Sequence, residues 1–271
     1  MVDTATQRAP VAIVTGGARR IGAALVRALA ADGWHVVIHC HTSTADADAL
    51  AAELHGASRS ASVVVADLAD SAAAATIVAA AVAAEEPRLL VNNASRFDPD
   101  SFADFTAEQW DRHQAINVRA PALLIQAFAA AVGQSDGNAG DGNAGGREAA
   151  VVVNLLDAKL ASLNPDFLSY TVSKIGLAGL TELAARAYAP HLRVAAIAPS
   201  VTLVSGPQSR ANFDRVHTMN PLHRGVEVAD IVAGLRFILA TPTFNAQTLV
   251  IDGGQRLLGL PRDVQHMVDG E

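Results

Sequence analysis

Val11-Ala12-Ile13-Val14-Thr15-Gly16-Gly17-Ala18-Arg19-Arg20-Ile21-Gly22 opens the patterned part of this 271-residue chain. Four apolar residues predict a short buried strand, and the glycines after it predict a sharp turn. Ala23 to Ala31 then predicts a helix that stops at Asp32-Gly33, and Val36-Val37-Ile38-His39-Cys40 predicts a second strand. Strand, glycine turn and helix form the context a dinucleotide-phosphate loop needs. Glycines let the backbone approach a pyrophosphate, and the helix amino end offers free N–H groups and a favourable dipole.

Outward from this unit, strands and helices alternate. Strands are expected at about 11–15, 36–40, 61–66, 88–92, 150–156, 192–198 and 247–251, and helices at about 20–31, 45–55, 71–85, 107–132, 169–188 and 227–240. Alternation predicts one α/β domain built on a seven-stranded parallel sheet with helices on both faces. Half the residues are apolar, 51%, which is ample for such a core. A net charge of −7 argues against bulk affinity for nucleic acid or anionic membrane. No apolar run approaches the ~20 residues that span a bilayer. Residues 1–9 read as a polar flexible tail without a signal-peptide core. The single cysteine, Cys40, lies in a strand and reads as a packed thiol, so the chain is expected to be cytoplasmic.

Two stretches interrupt the pattern. Residues 133–147 hold Asp-Gly-Asn-Ala-Gly twice in tandem, at Asp136–Gly140 and Asp141–Gly145, and predict a mobile loop away from the phosphate-binding edge. Residues 200–225 lack periodicity and predict a loop bordering the substrate. Within it His217, His223 and Arg224 read as solvent-facing, with substrate contact as the alternative. The main domain is placed at 10–257 and a C-terminal tail at 258–271.

A second motif is Ser169-Tyr170-Thr171-Val172-Ser173-Lys174. Residues i and i+4 share a helix face, so the Tyr170 phenol and the Lys174 ammonium point into one space. A nearby cation favours phenolate and is expected to lower the tyrosine pKa toward working pH. The apolar run Ala150 to Leu156 reads as a buried strand that delivers Asp157 to the carboxyl edge of the sheet, where open parallel sheets bind ligands.

From about Pro10 to about Leu257 the chain resembles the short-chain dehydrogenases/reductases. The marks stand in order: Thr15-Gly16, Asp67-Leu68, Asn92-Asn93-Ala94, Asn117, Tyr170 with Lys174, Pro199, and Asp252-Gly253-Gly254. Two departures from the common pattern are informative. Arg20 stands where glycine is usual, and Asp157 where the catalytic serine is usual. Both are shared by the pteridine reductases, as are His39-x-His41-x-Ser43 and Asn93-Ala94-Ser95-x-Phe97. Ile197-Ala198-Pro199-Ser200 is similar to the bacterial dihydromonapterin reductase branch in particular.

The resemblance implies a Rossmann fold and a homotetramer associating through the two long helices, whose small faces include Ala178, Ala184 and Ala185. It implies that Gly16, Arg19, Arg20, Ile21, Gly22, His41, Thr42, Ser43, Asp67, Leu68, Asn93, Ala94, Ser95, Tyr170, Lys174, Pro199 and Thr202 bind a cofactor. Asp67 would hold the adenine edge with Leu68 beside the ring. Asn117 would hold helix backbone or a water linking Lys174 to solvent. NAD-preferring folds place a carboxylate after the second strand. Here His41-Thr42-Ser43 stands there with no acid before Asp46, and Arg19 and Arg20 lie in the neighbouring turn. Cations with hydroxyls suit a 2′-phosphate, so NADPH is expected. No metal is expected.

Asp157 bears on the chemistry. An ionised carboxylate would repel a carbonyl oxygen and raise the tyrosine pKa, but it suits a substrate that offers N–H donors. Reduction of a C=N bond puts hydride on carbon and a proton on nitrogen, and Asp157 with Tyr170 would pass that proton. Phe97 would sandwich a flat ring against the nicotinamide, with Ser95 and Arg20 on the polar edge of the substrate or on cofactor phosphates. The expected activity is NADPH-dependent reduction of a dihydropterin such as dihydrobiopterin, dihydromonapterin or dihydrofolate. A short-chain carbonyl reductase and a non-catalytic NADP-binding sensor are the alternatives.

Overall fold

Runs rich in valine, isoleucine and leucine build the strands, and the central ones are buried on both faces. In the computed structural model, which describes residues 9–135, 148–206 and 208–268, the strands are β1 (Val11–Val14), β2 (His35–Cys40), β3 (Ala61–Val65), β4 (Pro87–Asn92), β5 (Ala150–Leu155), β6 (Leu192–Pro199) and β7 (Thr248–Ile251). They form one parallel sheet in the order β3-β2-β1-β4-β5-β6-β7. The chain winds outward from β1 to one edge and returns to wind outward from β4 to the other. The reversal opens a crevice at the carboxyl ends of β1 and β4, the place where such sheets bind ligands.

Strand side chains alternate between two cores. Ala12 and Val14 face one layer, made by α1 (Arg20–Ala31), α2 (Thr44–Gly56) and α8 (Val228–Ala240). Val11 and Ile13 face the other, made by α3 (Ala73–Ala84), α5 (Ala120–Ser135) and α6 (Leu168–Tyr188). Cys40 is buried in the first layer, and burial raises its thiol pKa, as expected of a packed thiol.

Three expectations are corrected. The helix foreseen at 107–132 is α4 (Ala107–Gln114) and α5 joined by a π turn, Ala115–Arg119. Pro121 has no N–H to give the Asn117 carbonyl, and Ala120 N–H instead reaches back five residues to the Ala115 carbonyl. The stretch Ala107–Gly133 has a mean hydropathy of 1.5 and is long and apolar enough to cross a membrane. Leu124, Ile125, Phe128 and Val132 are buried in the second core layer, so it is a core helix. Finally, the 200–225 stretch contains α7 (Arg210–Val216), started by Ser209 accepting from Asn212 N–H and held by buried Phe213 and Val216. The expected mobile behaviour of 1–9 and 133–147 falls largely on residues 1–8 and 136–147, outside the described ones.

Candidate active site

The glycine turn has a chemical reason at each position. Gly16 has φ +60, and a Cβ there would sit 3.1 Å from the Ala94 Cα. A Cβ on Gly22 would lie 2.1 Å from the Gly16 carbonyl oxygen and 2.7 Å from Asn93 Nδ2. The turn is held from three sides. Asn93 Nδ2 donates to the carbonyls of Thr15 (2.8 Å) and Gly16 (3.1 Å). The N–H groups of Asn93 and Ala94 both donate to Thr15 Oγ1 at 3.0 Å. Gly16 N–H donates to His39 Nδ1 at 3.2 Å, while His39 Nε2–H donates to the Ala66 carbonyl at 3.0 Å. Those partners require the neutral imidazole, and burial lowers the His39 pKa accordingly. His39 is a structural residue: it stands in the His39-x-His41-x-Ser43 resemblance, but only the fold shows that it braces the glycine turn.

Around the turn, Arg20 adopts φ 54 and donates from Nη1 to the Val204 carbonyl at 2.6 Å. Arg19 Nε donates to Asp46 Oδ2 at 2.6 Å, so Asp46 occupies the cation expected to serve a phosphate. Both partners are largely exposed, and exposed pairs contribute only about 0–1 kcal/mol, which a phosphate readily displaces. His41 lies 3.9 Å from Asp67, and Asp67 Oδ1 accepts from Ala69 N–H at 2.9 Å. Thr42 is exposed and Ser43 half-buried just ahead of α2. Leu68 is buried in the second core layer, so its side chain packs inward.

At the carboxyl end of β5, Asp157 turns the chain into a short 3-10 segment, accepting from Lys159 N–H at 2.8 Å through Oδ1. Its Oδ2 accepts from the Tyr170 hydroxyl at 2.8 Å. Burial holds the Asp157 carboxyl above its ordinary range despite these two donors. Burial and then the Asp157 charge hold the Tyr170 phenol well above its ordinary value. The expected lowering of the tyrosine pKa by Lys174 is therefore corrected. Lys174 Nζ donates to the Leu155 carbonyl at 2.7 Å and lies 5.6 Å from the Tyr170 ring centre. Its own pKa falls to about 8, chiefly through burial. The phenol keeps its proton and shares it with a carboxylate.

Asn117, presented by the π turn, is fully committed. Its Nδ2 donates to the Arg96 carbonyl (3.0 Å) and Ser173 Oγ (2.9 Å); its Oδ1 accepts from Arg96 N–H (2.8 Å) and Ser95 Oγ (3.3 Å). It holds the loop after β4 to α6, where helix backbone or a water had been expected. Phe97 on that loop stacks on Phe167 (centroids 4.5 Å, 22°) and meets Tyr170 edge-on (4.7 Å, 82°).

A cleft of about 300 Å³ collects Arg20, Ile21, Asn93, Ser95, Phe97, Asp157, Tyr170, Lys174, Pro199 and Thr202. Gly16, Arg19, Gly22, His41, Thr42, Ser43, Asp67, Leu68, Ala94 and Asn117 lie outside its lining. His217 also lies outside it, stacked on Phe213 at 4.6 Å and bonded to the Val226 carbonyl at 3.0 Å. The region expected to trail as a tail instead closes the cleft. Leu260, Arg262, Asp263, Val264 and Gln265 line it, and Arg262 Nε meets both Asp166 carboxylate oxygens at 2.9 and 2.8 Å. The described residues hold no cluster of three or more metal-binding side chains.

This arrangement of glycine turn, Asn117, Tyr170 and Lys174 is that of a nucleotide-dependent oxidoreductase. The chain belongs to the short chain dehydrogenase family, which matches residues 10–213. It superposes on the alternative dihydrofolate reductase FolM of Brucella suis, solved in complex with NADP, with a TM-score of 0.83 and 36% identity over 92% of this chain and 95% of that one. It is 29% identical to pteridine reductase 1 of Leishmania tarentolae, over 94% of this chain and 99% of that protein. An uncharacterized oxidoreductase of Mycobacterium tuberculosis is 32% identical over 90% and 91% of the two chains.

Proposed function

We propose that this protein is an NADPH-dependent reductase of the C=N bond of a dihydropterin, acting in the cytoplasm as a homotetramer. The observation that carries the reading is the 2.8 Å bond from the Tyr170 hydroxyl to a buried Asp157, in a cleft bordered by Phe97. The two NADP-bound FolM structures and the likeness to a pteridine reductase support it.

The turn from Gly16 to Gly22 fits a nucleotide diphosphate, since a Cβ at Gly22 would displace the loop backbone. Arg19, Arg20, His41, Thr42 and Ser43 would hold the adenosine phosphate end, Lys174 the nicotinamide ribose, and Asn93, Ala94, Pro199 and Thr202 the walls between. NADPH, when bound, supplies the hydride. Phe97 and Tyr170 orient a flat ring, with Ser95 and Arg20 at its polar edge. Burial and then the Asp157 charge hold the Tyr170 phenol well above its ordinary pKa, so it keeps its proton and donates it to Asp157. That proton is delivered to the ring nitrogen as the adjacent carbon takes hydride, and solvent restores it through the Asp157–Tyr170 pair. A ketone would meet the Asp157 carboxylate where it needs a donor.

The test is oxidation of NADPH, and separately of NADH, followed with dihydrobiopterin, with a ketone and without substrate. Turnover with dihydrobiopterin and NADPH is expected. Preference for the ketone, or for NADH, would overturn the corresponding part of the proposal.

A further inference from the structure

Two charged side chains in the cleft have no part in the proton transfer just described. Lys159 lies two residues after Asp157, and Asp263 belongs to the C-terminal segment. Both line the cleft, with side chains 7% and 19% exposed. Lys159 Nζ donates to Asp263 Oδ2 at 3.3 Å and to the Asp166 carbonyl, and lies 5.2 Å from the Phe167 ring centre.

The segment carrying Asp263 is fastened along its length. Asp166 takes Arg262 Nε on both oxygens and Asp263 N–H on Oδ2 at 2.7 Å. Asn212 Nδ2 on α7 donates to the Gln265 carbonyl at 2.8 Å, and the His266 ring stacks on Phe167 at 6.0 Å. Phe167 in turn stacks on Phe97. The fastening thus ties the C-terminal segment to the aromatic wall and to the start of the helix that carries Tyr170.

Stability alone is a poor reason for this largely buried ion pair, because desolvating two charges opposes folding. Asp263 Oδ1 accepts only a 3.3 Å bond from Gln265 N–H, and one Lys159 proton has no partner among these contacts. We propose that Arg262–Gln265 is the outer wall of the substrate site and that Asp263 with Lys159 determines specificity, by binding a substrate edge that presents an N–H donor beside an oxygen acceptor. This rests on the reductase reading of the cleft, and it identifies the substrate class by a donor–acceptor edge separate from the bond that is reduced.

The experiment measures KM for dihydrobiopterin at saturating NADPH, together with the NADPH Kd, in wild type, Asp263→Asn and Lys159→Met. Each variant is expected to raise KM roughly tenfold, the effect of losing one hydrogen bond to a charged group, while the NADPH Kd stays within twofold. Asp263→Asn preserves the shape of the side chain, so the result does not depend on the second variant folding. KM unchanged in both variants, or KM and the NADPH Kd rising together, would overturn the inference. A wild type that reduces the ketone and not dihydrobiopterin overturns the pterin reading instead. The same variants are then scored on the KM for that ketone, where an unchanged value overturns the wall and a raised one keeps it.

Discussion

At the scale of single residues, the site turns on where protons rest. Asp157 is the sharpest test, because it is at once a turn cap and half of the proton-carrying pair. Asp157→Ser keeps a side chain able to accept from Lys159 N–H but removes the acid. Turnover of dihydrobiopterin should fall by roughly 10²–10⁴, the usual contribution of a positioned acid or base, and weak ketone reduction should appear. Near-normal turnover with a lowered melting temperature would assign Asp157 a capping role alone. Lys174 makes a second prediction, about stability. Its folded pKa, about 8, lies below the value of 10.5 for the free side chain. Below pH 8 both folded and unfolded chains hold the proton. Between about 8 and 10.5 the unfolded chain holds more, so the Lys174 contribution to stability rises with pH through that window. Denaturant unfolding of the apoprotein should show the difference between wild type and Lys174→Met shifting toward wild type by on the order of 3 kcal/mol across the window. A pH-independent difference would show that Lys174 keeps an ordinary pKa.

At the scale of elements, the glycine turn and the strands were legible because their constraints are local. Short valine- and isoleucine-rich runs fit a sheet covered on both faces, and a turn that brings Gly22 against the Gly16 carbonyl leaves no room for a side chain. Gly22→Ala should therefore lower stability by about 1–3 kcal/mol, as overpacking does, and weaken NADPH binding in a fluorescence titration. Unchanged affinity would separate the turn from cofactor binding. What was not legible depends on partners distant in sequence. Nothing near Arg262 announces Asp166, 96 residues earlier, so the C-terminal segment read as a tail. Arg19 read as a free cation because its pairing with Asp46 is made by the packing of α1 beside α2. The tyrosine–lysine spacing was right about a shared face. It was wrong about the pKa, because burial and Asp157 outweigh a cation already committed to a backbone carbonyl.

At the scale of the whole molecule, the outward side of α6 presents an uncovered apolar stripe. Of the alanines expected to form a contact face, Ala184 and Ala185 are buried in the chain's own core and are not available. The outward stripe consists of Ile175, Gly179 and Leu183, spaced by one turn, with Ile175 45% and Leu183 67% exposed. A Cβ on Gly179 would meet nothing within 4 Å among the described residues, so none of them fills the space above it. Small and apolar residues at helical spacing let a second helix approach closely, and covering Leu183 would remove a large apolar side chain from water. A homotetramer joined through this face and the neighbouring α4–α5 face is the expected state. Light scattering at micromolar concentration should give four times the mass of the chain. Leu183→Glu should give a smaller species, because like carboxylates would then face each other across a two-fold contact. Its secondary structure should be retained, since Leu183 takes no part in the core. A wild-type monomer would refute the assembly, and a Leu183→Glu tetramer would move the contact to another face.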